Sequence, residues 1–209
     1  MRNLETAVRK FALYGVHCSL GSALLVELLN RQHETLAVLE DLNALSARPG
    51  LRTKLGSLQV ADGHPREGLE RGIVESVAGM HGVVCVLNSP ALFGGALSAS
   101  RLAAVQQPIE GLLQALPQAG VEHLLLIDHF DWLDQPEAQP LHTQLLDSPL
   151  PWTLVNALAV TEQFHLDDLR HPEGLAEDDP RRPLVTYANA VVDELESPCH
   201  LRQRLQLHC

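Results

Sequence analysis

The feature that most constrains this chain is a short apolar run that passes through a glycine-flanked turn into a helix-patterned segment. Phe11-Ala12-Leu13-Tyr14-Gly15 reads as a strand buried on both faces. Ser19–Arg31 then places Leu20, Ala23, Leu24 and Leu28 on one helical face. The alternation continues. Thr35–Leu39, Arg52–Leu55, Val83–Leu87, Val121–Ile127 and Trp152–Val155 read as further strands. Helices are expected from Pro65 to Met80, from Ala99 to Leu116 with a stop at Pro117, and over Tyr187–Glu196. Asp41–Ala47 suits a short helix ended by Pro49-Gly50. His200–Leu207 alternates in polarity and reads as a last strand. Asn88–Ser98 and the proline-marked stretch between Pro136 and Pro151 read as loops, and Asp167–Pro183 as exposed and charged. This order predicts an α/β fold with a doubly wound, mainly parallel sheet and helices on both faces. Neither a repeat nor a linker divides it, so one domain over residues 1–209 is expected.

Composition narrows the partners. Fifteen Lys and Arg against 26 Asp and Glu give a net charge of −11, which argues against nucleic acid. Only 4% of residues are aromatic, so the core must rest on Leu, Val, Ala and Ile. No apolar run is long enough to span a bilayer, and the polar start MRNLETAVRK lacks a leader's apolar stretch. A cytoplasmic location without membrane contact is the expectation. Cys18, Cys85, Cys199 and Cys209 form no CxxC pair, and the eleven histidines include no HxxxH spacing. No metal site is expected. Cys85 reads as a small buried hydrophobe.

The first turn carries the chemistry. Gly15-Val16-His17-Cys18-Ser19-Leu20-Gly21 links strand to helix, with Gly15 and Gly21 as the outer glycines of a phosphate-cradling turn. A middle glycine would fall at Cys18, whose Cβ and sulfur intrude where a phosphate would approach. A strand–turn–helix that binds nothing fits the same residues. Glu40 and Asp41 follow the second strand at the distance where an acidic residue holds a ribose hydroxyl. They also suit a helix cap. With no arginine beside them, NAD is preferred over NADP.

The turn GVHCSLG resembles the GATGxxG turn of the atypical short-chain dehydrogenase/reductases, the NmrA-like and NAD(P)H-binding reductase group. LRTKLGSLQVAD, VESVAGMHGVVCVL, PWTLVNA and TYANAVVDELESPCHLRQRLQL resemble later segments of that group, in order and across nearly the whole chain. The resemblance implies a Rossmann-like fold and a dinucleotide held by the turn, Glu40, Asp41, Ser57, Leu58, Leu87, Asn88, Ser89 and Asn156. Departures fall at the ligand positions. Cys18 replaces a glycine, Ser57 an acidic residue and Asn88 a glycine. Asp128-His129-Phe130-Asp131 replaces a serine-rich strand end, and Asn156-Ala157 an Arg-Pro pair.

The Tyr-x-x-x-Lys pair of the better-known dehydrogenases is absent: Cys18 lies four residues after Tyr14, and Val191 four after Tyr187. Asp128 and His129, at the carboxyl end of a strand, are the candidate catalytic pair, with the imidazole as proton donor. Polar loop residues would look the same. Cys18 at a helix start is either a thiol of lowered pKa or a spectator. Two functions follow. One is an NAD(P)-dependent reductase passing hydride to a small carbonyl, quinone or flavin-type acceptor. The other is a non-catalytic nucleotide- or protein-binding sensor or scaffold with a degenerate cofactor site. A homo-oligomer is left open.

Overall fold

A computed structural model describes residues 8–41, 45, 48–58, 66–87, 99–160, 162–169 and 174–207. Strand β1 (Lys10–Tyr14) leads into helix α1 (Ser19–Asn30), followed by β2 (Glu34–Leu39) and β3 (Leu51–Leu55). Helix α2 (Arg66–Val77), β4 (Gly82–Val86), α3 (Ala99–Gln118) and β5 (His123–Asp128) come next. Two 3-10 turns, Phe130–Asp134 and Pro136–Ala138, lead to α4 (Gln139–Asp147), β6 (Trp152–Asn156), α5 (Arg182–Glu196) and β7 (Gln203–Leu205). All seven strands form one sheet, in the order β3-β2-β1-β4-β5-β6-β7. Every pairing is parallel.

The period of two along each strand divides the core. Ala12 and Tyr14 of β1 join Leu124 and Leu126 of β5 under α2, α3 and α4. Phe11 and Leu13 join Leu125 and Ile127 under α1 and α5. Burial on both faces explains why these strands read as unbroken apolar runs. Beyond the core, Arg31 at the end of α1 pairs with Glu27, Asp193 and Glu196, tying α1 to α5. The order reverses between β1 and β4, and at such a switch point a parallel sheet opens a crevice at its carboxyl edge.

Several boundaries differ from expectation. The stretch between Pro136 and Pro151 is not simply loop. Pro136 and Pro140 occupy first turns, where a missing N–H costs nothing, so they start a 3-10 turn and α4. Helix α3 runs through Pro117 to Gln118, with Pro108 also inside it. Burial of Ile109, Leu112 and Leu116 against the sheet outweighs the lost bonds. Helix α5 starts at Arg182, not Tyr187, with Pro183 in its first turn. The last strand is three residues, Gln203–Leu205, rather than eight. The expected loop Asn88–Ser98 and most of the short helix at Asp41–Ala47 lie outside the described residues.

Candidate functional site

The turn after β1 requires both of its glycines. Gly15 has φ +82°, and a Cβ there would collide with the Val86 carbonyl oxygen of β4. A Cβ on Gly21 would strike the Gly15 carbonyl oxygen. The pair therefore lets α1 start hard against the strand ends, as close backbone approach to a bound phosphate needs.

Cys18 is the N-cap of α1. Its Sγ accepts from the Gly21 N–H at 3.4 Å and donates to the Gly15 carbonyl at 3.2 Å. The side chain folds back into the turn and satisfies an amide that helix geometry leaves open. Burial pushes its pKa up, while the amides of Gly21 and Leu20 pull the other way. Of the two readings of Cys18, desolvation runs against the lowered pKa and with the spectator. Ser19, the first helical residue, is also engaged. Its hydroxyl accepts from the Phe164 N–H at 2.9 Å and donates to the Glu162 carbonyl at 3.3 Å. Residues 162–169 thus form a strap over the start of α1. Asp167 anchors it on Arg48 at 2.6 Å, and Arg181 donates to the Asp168 carbonyl at 2.9 Å.

A cavity of about 460 Å³ opens beside the turn. His17, Cys18, Ser19 and Leu20 form one wall, Val86, Ile127, Asp128 and His129 the floor, and Ala157–Val160 with Glu162 and Gln163 the far side. Asp128 is buried as the last residue of β5, and His129 is half-buried beside it. Asn156 ends β6 opposite Asp128 in register but does not line this cavity. Its carbonyl instead accepts from the buried Tyr187 hydroxyl at 2.9 Å. Glu40 and Asp41 lie exposed just past β2, on the other side of β1. The Ser57 hydroxyl donates to Glu40 at 3.0 Å, so the second and third strand ends form their own polar corner. Leu58 and Leu87 are partly buried against the α2/α3 core. Asn88 and Ser89 lie outside the described residues. Val86, Ile127, Leu158–Val160 and the strap were not picked out from sequence. A sharper reading of strand ends would have found the first two, whereas the strap carries no periodic signal.

Neither tyrosine serves as an acid here. Tyr14 is buried with its hydroxyl unpartnered among the described residues, and desolvation pushes its pKa well up. Tyr187 is committed to the Asn156 carbonyl. Among the described residues, no cluster of His, Cys, Asp or Glu has the arrangement of a metal site, and no helix is long and apolar enough to cross a membrane.

Solved structures share this architecture. The oxidoreductase YlbE of Lactococcus lactis superposes with a TM-score of 0.63 at 15% identity, covering 95% of this chain and 90% of its own. The chain has a Rossmann fold. A Streptococcus pneumoniae protein proposed to be an NADH-flavin reductase gives 0.57 at 19% identity, over 95% and 98%. The enzyme WbmG of Bordetella bronchiseptica, solved in complex with NAD, gives 0.59 at 15%, over 99% and 74%. No protein-family model and no curated protein matches the sequence.

On this Rossmann frame, most of the residues suit a nicotinamide dinucleotide. Gly15 and Gly21 give close backbone approach, the Glu40 carboxylate stands at the end of β2 for a ribose diol, and the cavity beyond the turn has room for a nicotinamide. Cys18 interferes, because its sulfur takes up the Gly21 N–H.

Proposed function

We propose that this chain is an NAD-binding member of the atypical short-chain dehydrogenase/reductases, a small single-domain reductase. The observation that carries the reading is the glycine pair packed at the switch point between β1 and β4, with a carboxylate at the end of β2. In this reading the amides at the start of α1 hold the pyrophosphate and Glu40 the adenosine ribose. An exposed carboxylate accepts from ribose hydroxyls and repels a 2′-phosphate, which favours NAD. The nicotinamide, when bound, supplies or accepts a hydride. The cavity wall of Ala157–Val160 excludes water around it. An imidazole nitrogen of His129 carries the proton to or from a small carbonyl, quinone or flavin-type acceptor, with Asp128 beside it.

The second reading is a nucleotide sensor without turnover. Two observations favour it: Cys18 pre-empts one helix-start amide, and neither tyrosine is placed to donate a proton.

Isothermal titration of the full chain with NADH and NADPH in parallel tests both. Micromolar binding of NADH, tighter than NADPH, supports the dinucleotide reading. Absence of heat with either overturns it. Where NADH binds, acceptor-dependent loss of nicotinamide absorbance, abolished by His129→Ala, separates reductase from sensor.

A further inference from the structure

A second cavity, of about 420 Å³, lies beside the same turn and meets the first at His17. Its polar lining is Arg48, His17, His165, Ser22 and Asp167. Ser22 is spent locally, since its hydroxyl donates to the Val16 carbonyl at 3.2 Å. Arg48 is not spent. Its side chain is 16% exposed, and one terminal nitrogen donates to Asp167 at 2.6 Å. Its Nε–H is buried and has no hydrogen-bond partner among the described residues. A buried guanidinium donor without an acceptor is costly, and native proteins keep such groups mainly where something else supplies the acceptor. The acceptor that Arg48 does have is a weak holder, because the Asp167 side chain is 73% exposed and sits on the strap.

We propose that this cavity is a phosphate-monoester site centred on Arg48, in which Asp167 stands in for the ligand. A guanidinium presents its donors as a planar fork that matches two oxygens of a phosphate. Bidentate binding through Nε and a terminal nitrogen satisfies the orphaned donor, which the one-point contact with Asp167 leaves unmet. His17 and His165 add ring donors beside the fork, and among the described residues Asp167 is the acidic side chain lining the cavity. Phosphate entry displaces the Asp167 carboxylate from the guanidinium. The site stands on Arg48 and this cavity, so it does not depend on a dinucleotide occupying the turn.

The phosphate comes either from the second phosphate of NADP or from a separate phosphorylated small molecule. Glu40 disfavours the first source. The test titrates the full chain, Arg48→Ala, Arg48→Lys and Asp167→Asn with inorganic phosphate, NAD+ and NADP+, read by calorimetry and by the phosphorus NMR line width of phosphate. Asp167→Asn is expected to tighten phosphate about threefold, the release of an exposed ion pair. Arg48→Ala is expected to weaken it at least roughly tenfold, with Arg48→Lys in between because it keeps charge without the fork. A gain in Asp167→Asn cannot come from misfolding. If NADP+ outbinds NAD+ and Arg48→Ala removes the difference, the phosphate is the dinucleotide's. If NAD+ and NADP+ behave alike while inorganic phosphate depends on Arg48, it belongs to a separate molecule. Phosphate responses indifferent to both Arg48 and Asp167 overturn the site. Failure of NAD+ alone to bind overturns only the dinucleotide reading.

Discussion

Replacing Cys18 with glycine restores the middle glycine of the turn and separates two effects of the thiol. The first is on stability. Cys18 has φ −91° and ψ 163°, an extended conformation that any residue adopts, so glycine gains nothing there and adds freedom to the unfolded chain. That entropy costs roughly 0.5–1 kcal/mol, and loss of the sulfur cap on the Gly21 N–H adds a few tenths. The total is about 1 kcal/mol, or a drop of roughly 2–4 °C in Tm for a domain of this size. The second effect has the opposite sign. The Gly21 N–H, now claimed by Sγ at 3.4 Å, becomes available to an anion at the start of α1. A hydrogen bond to a charged group contributes about 1.5–3 kcal/mol, so NAD affinity should rise roughly tenfold or more. Differential scanning fluorimetry and calorimetric titration on the same preparation measure both. A less stable protein that binds NAD more tightly is the expected pair. A less stable protein with unchanged or weaker NAD binding would refute the idea that the thiol obstructs the turn.

Burial lowers the His123 pKa from 6.5 to about 4. The unfolded chain therefore binds the extra proton first, and stability present above pH 6.5 is lost as pH falls toward 4. Between pH 7 and pH 5 the loss is on the order of 2 kcal/mol, and urea unfolding of His123→Gln should show a flatter profile. Tyr187→Phe removes a buried hydroxyl that donates to the Asn156 carbonyl. It should cost about 1 kcal/mol in denaturant unfolding and leave any acceptor reduction in place, because that hydroxyl holds the fold. Ser19→Ala removes both strap bonds made by Ser19, so amide exchange at Phe164 should accelerate while the sheet amides keep their protection. Glu40→Ala should weaken NAD roughly tenfold and NADP less, measured by titration.

The central strands were legible because they are buried on both faces. Phe11–Tyr14 and Leu124–Ile127 have no polar residue to break the apolar run, and turn residues bound them. Their alternation with helices was enough to give the doubly wound sheet. The turn was legible too, since Gly15 and Gly21 sit at a fixed spacing between strand and helix. What escaped was tertiary in origin. Pro140 read as loop because proline breaks a helix interior, yet in a first turn it starts one. The pairing of Ser57 with Glu40 joins the ends of two neighbouring strands and leaves no periodic trace. The role of Arg48 depends on Asp167, 119 residues further along the chain. The sequence placed the Cys18 sulfur in the turn, but only the geometry shows that it accepts from the Gly21 amide.

The strap has a consequence for the order of assembly. Ser19 and Phe164 meet across 145 residues of chain. As the protein is synthesised, β1, the turn and α1 emerge before the segment that closes over them, which follows 145 residues later. Contacts so distant along the chain require the intervening strands to be in place first, and the entropy of closing that loop is recovered only then. The turn therefore spends the early life of each molecule uncovered. Any compound that reaches it then meets a more open groove than the one in the finished protein.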